Sequence, residues 1–211
     1  MATIISLRNQ IAFLLLAVSL TAVSYFYLDN GIALLVYRLL SASELLSQAA
    51  SEIPDLLLHI VVAITVMSWA GYFFLRHRGV GNRHTRFFQV CGTAMPIAFV
   101  TKTIFQYVFG RSDPQAWVLD HELPRFYWFQ SGDGYGCFPS GHMTVFTALM
   151  TILSRYYPRY RPVFLASLFL LALALIATDY HFLSDVLAGA WLGAVVAILV
   201  DGVSPDLESV K

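Results

Sequence analysis

Six stretches of this chain are long and apolar enough to be read as membrane crossings, and no other feature narrows the possible folds so far. A hydrocarbon slab of ~30 Å calls for about 20 apolar residues per helical crossing. Segments at about 11–28, 55–75, 87–108, 141–157, 162–179 and 182–200 meet or approach that length. Only 12% of the 211 residues are charged, against about 25% in a typical soluble domain. The pattern predicts an all-α integral membrane protein, a single six-helix bundle over residues 1–211 with no second domain. The first segment is read as a span rather than a cleaved leader. Its apolar run is long, no small-residue cleavage site follows, and it leads directly into Asp29-Asn30-Gly31.

Formal net charge is zero, so orientation must come from where the charges lie. Arg76, Arg78, Arg83 and Arg86 follow the second span, and Arg155, Arg159 and Arg161 follow the fourth. Arg8 precedes the first span and Lys211 ends the chain. With six crossings these fall on one side, which the positive-inside rule makes cytoplasmic. Both termini are then cytoplasmic, and the loops 29–54 and 109–140 face outward. Within the first of these, apolar residues interleave with Arg38, Ser41, Ser43, Glu44 and Gln48 at helical spacing, which predicts an amphipathic helix in the membrane interface. A re-entrant or short buried helix is the alternative on the same pattern. In the second, Trp117, Tyr127 and Trp128 suit a headgroup-level aromatic belt. Cys91 and Cys137 fall at opposite membrane faces, so no disulfide is expected between them.

Three polar intrusions interrupt the apolar pattern at the outer face. Lys102 lies in the outer half of the third span, with Gln106 one turn on and Gly110-Arg111 beyond it. Pro139-Ser140-Gly141-His142 opens the fourth span. Asp179, His181 and Asp185 straddle the junction of the fifth and sixth. Each has a plain reading: a snorkelling lysine, a headgroup-anchoring arginine, a helix cap at Ser140 or Asp179, a hydrogen-bonded interior histidine. Together they would all have to be incidental at one membrane depth, where ionisable groups are costly and usually face a wet cavity.

A single chemistry unites them. Ser140, Gly141 and the first free N–H groups of a helix make an anion site, and Lys102 and Arg111 add the positive charge that phosphate needs. His181 and Asp185 are four apart and would share a helix face, the carboxylate orienting the imidazole as a nucleophile. His142 supplies a second imidazole able to donate a proton to a leaving group. Phosphoryl transfer through a phosphohistidine uses this set with no metal and no cofactor. The His-x-x-x-Asp pair is also a possible divalent-ion site, although few further carboxylates converge on it.

The motifs carried by these residues resemble those of the type 2 phosphatidic acid phosphatase superfamily, the membrane lipid phosphate phosphatases. Pro139-Ser140-Gly141-His142 matches the family's second motif, and His181 to Asp185 matches the end of its third. Order and spacing agree over about residues 50–200. The resemblance implies a six-span fold with the active site at the outer face. It implies His181 as nucleophile, Asp185 as its orienter and His142 as general acid. Lys102, Arg111, Ser140 and Gly141 would form the phosphate cradle. Departures accompany the match: Gln106 stands at the motif's lysine, Asp113 at its second arginine and Leu175 at the arginine of the third motif. Lys102, one turn before Gln106, is expected to replace the missing charge.

The expected protein is therefore a hydrolase of the bacterial inner membrane. It would act on a lipid phosphate or diphosphate of the undecaprenyl pyrophosphate, phosphatidylglycerophosphate, phosphatidic acid or lipid A phosphate type. Its partners are the substrate and the bilayer, with no nucleic acid, and nothing in the pattern selects an oligomeric state. A lipid phosphotransferase with the same histidines and an inactive anionic-lipid-binding protein are the rival readings. A small-solute transporter lacks support, since no paired broken helices or half-to-half symmetry appear.

Overall fold

The computed structural model describes residues 7–41, 56–120, 126–130, 132 and 134–204, and these are helices joined by turns, with no strand among them. The long elements are α1 (Leu7–Val23), α2 (Asp29–Ser41), α3 (Leu56–His77), α4 (Arg83–Phe109), α6 (Gly141–Tyr156), α7 (Arg161–Ala177) and α8 (Leu183–Val203). A short α5 (Pro114–Asp120) lies in the loop after α4, and Pro158–Tyr160 form one 3-10 turn before α7. Helices occur at all six of the predicted apolar segments. Five stretches are long and apolar enough to cross a membrane: Ala12–Ser41, His59–His77, Arg83–Phe109, Pro158–Ala177 and Leu183–Val203. Such a set makes a multi-pass membrane protein. At 16 residues, α6 is about 24 Å long, short of a full hydrocarbon slab.

The packing is in two shells. α4, α6 and α8 form the inner one, where Val90, Ala94, Met95, Ala98, Val145, Ala148, Ile152, Val196 and Ala197 are buried at helical spacing. α1, α3 and α7 lie outside and present Phe13, Leu15, Val66, Phe73, Leu165 and Phe169 to the surroundings. No described residue covers those outward chains, as expected of side chains that meet lipid rather than water. α6 and α8 approach closely at a Gly-x-x-x-Gly face. A Cβ at Gly189 would come within 2.6 Å of the Ser140 carbonyl, and one at Gly193 would collide with that of Thr144. This contact fixes the start of α6 against the start of α8, and both are ends that carry the candidate chemistry.

The arginine-bearing loops gather at the other end of the bundle. Arg83 donates to the carbonyls of Arg155, at 3.2 Å, and of Tyr156. Asp201, nearly at the end of α8, accepts from Tyr156 Oη at 3.0 Å and pairs with Arg155 Nε at 2.7 Å and Arg86 at 3.5 Å.

Two expectations are revised here. α1 does not give way to a polar outer loop at Asp29. It continues through one π-helical turn, Ser24–Leu28, into α2, and Asp29 is 1% exposed. The expected interfacial helix over 29–54 is thus helical over Asp29–Ser41 and continuous with the first span, while its remainder, 42–54, lies outside the described residues. Trp117 is not in an aromatic belt either. It is buried with Ala33 and Val118, its ring edge-on to Phe182 at 6.2 Å, whereas Trp128 is exposed.

Candidate active site

The end of α4, residues 113–115 and 134–137, the start of α6 and the turn between α7 and α8 enclose a cavity of about 280 Å³. Lys102, Gln106, Asp113, Gly141, His142, Asp179 and His181 line it. Lys102 and His181, 79 positions apart in sequence, thus meet on one cavity.

Ser140 is the N-cap of α6, its hydroxyl accepting from the Met143 N–H at 3.4 Å. It is fully buried beneath the cavity, and its own N–H donates to the Asp185 carbonyl at 3.0 Å, which ties the second motif to the third. The peptide Phe138-Pro139 is cis. Gly141 and His142 follow as the first helical residues and line the cavity, at the helix end whose backbone N–H groups have no partner within the helix. Lys102 reaches this point from α4. Its Nζ donates to Gln106 Oε1 at 3.1 Å, lies 4.5 Å from the centre of the Phe99 ring and stands 3.4 Å from where a Cβ on Gly141 would be. Gln106 in turn donates to the Pro139 carbonyl at 3.1 Å.

His181 and Asp185 are adjacent but do not share a helix face as expected, because α8 begins only at Leu183. Asp185 is the third residue of that helix, and its Oδ2 accepts from the Phe182 N–H at 3.0 Å. The direct separation from Asp185 Oδ2 to His181 Nδ1 is 3.8 Å, too long for a hydrogen bond. Cys137 fills the gap. Its Sγ lies 3.1 Å from His181 Nδ1 and 2.9 Å from Asp185 Oδ2, so the thiol connects the two. Burial, then the neighbouring Asp185 charge, pushes the Cys137 pKa well above its ordinary value and keeps the sulfur protonated. The Tyr180 ring lies edge-on to both histidines, 4.9 Å from His181 and 5.7 Å from His142 between ring centres.

Arg111 departs from its expected place in the phosphate cradle. It is fully buried and does not line the cavity. One guanidinium nitrogen donates to Asp185 Oδ1 at 2.5 Å and to Ser184 Oγ at 2.6 Å, and the other donates to Asp29 Oδ2 at 2.7 Å. The Phe182 ring covers it at 4.2 Å. Burial works against its charge, but Asp185 and Asp29 outweigh that and hold its pKa above the ordinary value. Its main-chain carbonyl accepts from the N–H groups of Gly136 and Cys137, at 2.9 and 3.0 Å, which fixes the loop carrying the thiol.

Three contributors went unread in the sequence. Cys137 was an isolated loop cysteine, and its only signal was its position two residues before Pro139. Asp29 looked like a span terminus. Its burial depends on the π-helical turn, where Ser24 Oγ donates to its Oδ1 at 2.9 Å. Asp113 looked like the loss of an arginine, yet it caps α5 by accepting from the Ala116 N–H at 2.7 Å and also faces the cavity.

Cys137, His181 and Asp185 also form a group with ligand atoms within 4.8 Å of one another, the set among the described residues able to hold a metal ion. A separate apolar cavity of about 510 Å³ lies behind Phe138 and Pro139, lined by Val18, Tyr25, Phe105, Phe109 and Trp191 among others.

Comparison with known proteins places these observations in a family. The PAP2 superfamily model matches residues 85–206, more than half of the chain. A lipid A 1-phosphatase of Rhizobium johnstonii is 32% identical over 90 residues, 43% of this chain and 36% of that protein. A lipid A 1-phosphatase of Rhizobium etli is 27% identical over 107 residues, 51% of this chain and 46% of its own length. The matched stretch therefore spans less than half the length of these curated relatives. The crystal structure of a transmembrane PAP2 type phosphatidylglycerolphosphate phosphatase from Bacillus subtilis aligns with a TM-score of 0.43 and 22% identity, over 95% of this chain and 96% of that one.

Proposed function

The chain belongs to the PAP2 superfamily, and from that premise we propose that it is a membrane phosphatase hydrolysing a lipid phosphate or diphosphate through a phosphohistidine. The observation that carries the reading is the meeting of His142, His181 and Lys102 on one cavity at the N-terminus of α6. In this proposal the phosphoryl group sits against Lys102 and the N–H groups of Gly141 and His142, where fixed charge and the helix end favour an anion. The free ring nitrogen of His181 attacks phosphorus, a nitrogen–phosphorus bond forms, and the bond to the leaving oxygen breaks. His142 gives that oxygen its proton. It then takes a proton from water, whose oxygen displaces His181 and releases inorganic phosphate. Cys137, itself bonded to Asp185, holds the other ring nitrogen, and Arg111 with Asp29 and Ser184 holds Asp185. Arg111 thus acts beneath the site as a positioning residue, and Ser140 as the cap that shapes it.

The substrate class comes from the family and the setting. Lipid A 1-phosphate, named for the Rhizobium relatives, joins undecaprenyl pyrophosphate, phosphatidylglycerophosphate and phosphatidic acid as candidates, since membership alone does not select among them. The apolar cavity behind Pro139 suits a hydrocarbon chain of such a lipid. In this reading the site faces the outside of a bacterial inner membrane, opposite the arginine-rich end, with both termini cytoplasmic.

The test is phosphate release from a panel of these lipids in detergent, by wild type and His181→Ala, with and without EDTA. Turnover that survives EDTA and vanishes in His181→Ala is expected. Turnover lost to EDTA and restored by zinc or magnesium would instead make Cys137, His181 and Asp185 a metal site. Undiminished turnover in His181→Ala would remove the nucleophile from the scheme. Lipid binding without turnover in wild type would identify an inactive headgroup-binding protein.

A further inference from the structure

The carboxylate of Asp179 sits where several independent forces oppose it. It follows the C-cap of α7, with its N–H bonded to the Ile176 carbonyl and that of Tyr180 to the Leu175 carbonyl, at 3.0 and 3.1 Å. This closing motif places the residue in the left-handed region, at φ 53°, where glycine is the usual occupant and a side chain is strained. The negative end of the helix dipole lies beside it, so an acid there is electrostatically disfavoured. Asp179 is 2% exposed, and its Oδ2 has no hydrogen-bond partner among the described residues. A buried, unpartnered carboxylate oxygen is costly, and it borders the cavity rather than the apolar core.

Asp113 borders the same cavity and is close enough to act on Asp179 by its charge. One oxygen of Asp113 caps α5. Among the described residues neither acid forms an ion pair. The cavity lining thus combines Lys102, the histidines and the α6 N-terminus with two acids that have no ion-pair partner among the described residues.

We propose that Asp179 and Asp113 form a subsite for an ammonium group carried by the substrate close to its phosphate. This deepens the phosphatase reading and rests on it. The donor set favours ammonium over a divalent ion. With Asp113 engaged as a cap, the pair offers too few free oxygens for the six to eight that calcium takes, and the EDTA and magnesium arms below separate ammonium from magnesium. An ammonium needs only two or three acceptors for its three N–H groups. The matched substrate is a zwitterionic phosphate monoester with an amine a few bonds from the phosphate, not a diphosphate with added negative charge.

Sphingosine 1-phosphate and its N-acetyl derivative test this, because they share chain and phosphate and differ in whether the nitrogen is charged. The wild-type protein, assayed in EDTA, is expected to prefer the amine in kcat/KM by roughly 10-fold or more, the usual weight of a charged hydrogen bond. Asp179→Asn keeps a residue that tolerates the left-handed region and should bring the ratio close to one. Asp113→Asn retains a capping side chain and should lower the ratio in part. A merely structural role for Asp179 would lower both rates together and leave the ratio intact. An unchanged ratio in Asp179→Asn, or no preference in wild type, overturns the subsite. So does a preference that appears only with added magnesium. A binding arm separates this from failure of the phosphatase reading. If wild type turns over neither lipid, thermal stabilisation of the detergent-solubilised wild type and Asp179→Asn by each lipid decides. Amine-dependent stabilisation lost in Asp179→Asn sustains the subsite, and equal stabilisation ends it.

Discussion

Arg111 and Asp185 form an ion pair at 2.5 Å in which both side chains are fully buried. The guanidinium is shared with Asp29, so one cation holds two carboxylates, one from the start of α2 and one from the start of α8. Breaking a buried pair by removing one partner commonly costs ~3–5 kcal/mol, because the survivor keeps its charge without compensation.

Arg111→Leu should therefore lower thermal stability sharply in detergent, as Asp29 and Asp185 are left facing each other. Arg111→Leu with Asp29→Asn should recover part of the loss by removing one of the orphaned charges. A variant of normal stability that fails only in substrate affinity would return Arg111 to the phosphate cradle.

Lys102 makes the opposite prediction. Its Nζ lies 3.1 Å from Gln106 Oε1, and a charged hydrogen bond to phosphate is commonly worth ~1.5–3 kcal/mol. Lys102→Ala should lower kcat/KM by roughly 10- to 150-fold at nearly unchanged stability. Adding Gln106→Lys should restore much of it, since the two positions are one turn apart. Near-normal kinetics in the single variant would show a snorkelling lysine.

Cys137 is expected to matter through His181. Cys137→Ala removes the only group bridging Nδ1 and Asp185 Oδ2 in the described structure. A neutral hydrogen bond is worth ~0.5–1.5 kcal/mol, so kcat should fall roughly 2- to 10-fold with KM little changed. Cys137→Ser, which keeps a donor and acceptor, should restore most of the rate. Equal rates in all three proteins, with superimposable pH profiles, would show that the thiol only fills space.

Asp179 predicts a pH-dependent stability. Burial, then the charge of Asp113, raises its pKa from 3.8 to about 6. A carboxyl with a raised folded-state pKa holds its proton more tightly when folded. Its contribution to stability is complete below the unfolded value and is lost as pH rises through 6. Asp179→Asn should thus stabilise the protein above pH ~6, by on the order of 1–3 kcal/mol, and the gain should fade toward pH 4. Asp113, His142, His181 and Lys102 line the same cavity and are common to both proteins, so the difference in Tm between wild type and variant is the quantity to follow. A gain of equal size at pH 4.5 and pH 8 would rule out the charge as its source.

Orientation is tested by single cysteines in a Cys91→Ser, Cys137→Ser background. Trp128 and Tyr160 are both exposed, one in the loop before α6 and the other in the turn after it. Trp128→Cys should react with a membrane-impermeant thiol reagent in intact spheroplasts and Tyr160→Cys should not. Reversed labelling would place the cavity in the cytoplasm.

The sequence by itself determined the helices and the identities of the chemical groups. Hydropathy along a segment and a 3.6-residue period are local properties, so the long apolar helices could be read without knowing their neighbours. Pro139 to His142 and His181 to Asp185 were likewise readable, because a capped helix start with a histidine needs only adjacent residues. Pairing was decided elsewhere. Asp29 and Arg111 are 82 residues apart, Arg111 and Asp185 74, and Cys137 and His181 44. A buried charge requires a partner, but sequence spacing does not say which residue will supply it. The π-helical turn that rotates Asp29 inward, the close α6–α8 contact at Gly189 and Gly193, and the start of α8 at Leu183 made those choices. They placed Arg111 against Asp185 and out of the cavity lining, and Cys137 between His181 and Asp185. They also left Asp179 buried with an oxygen unpaired. Burial and distance are properties of packing among helices far apart in the chain, and only the assembled bundle has them.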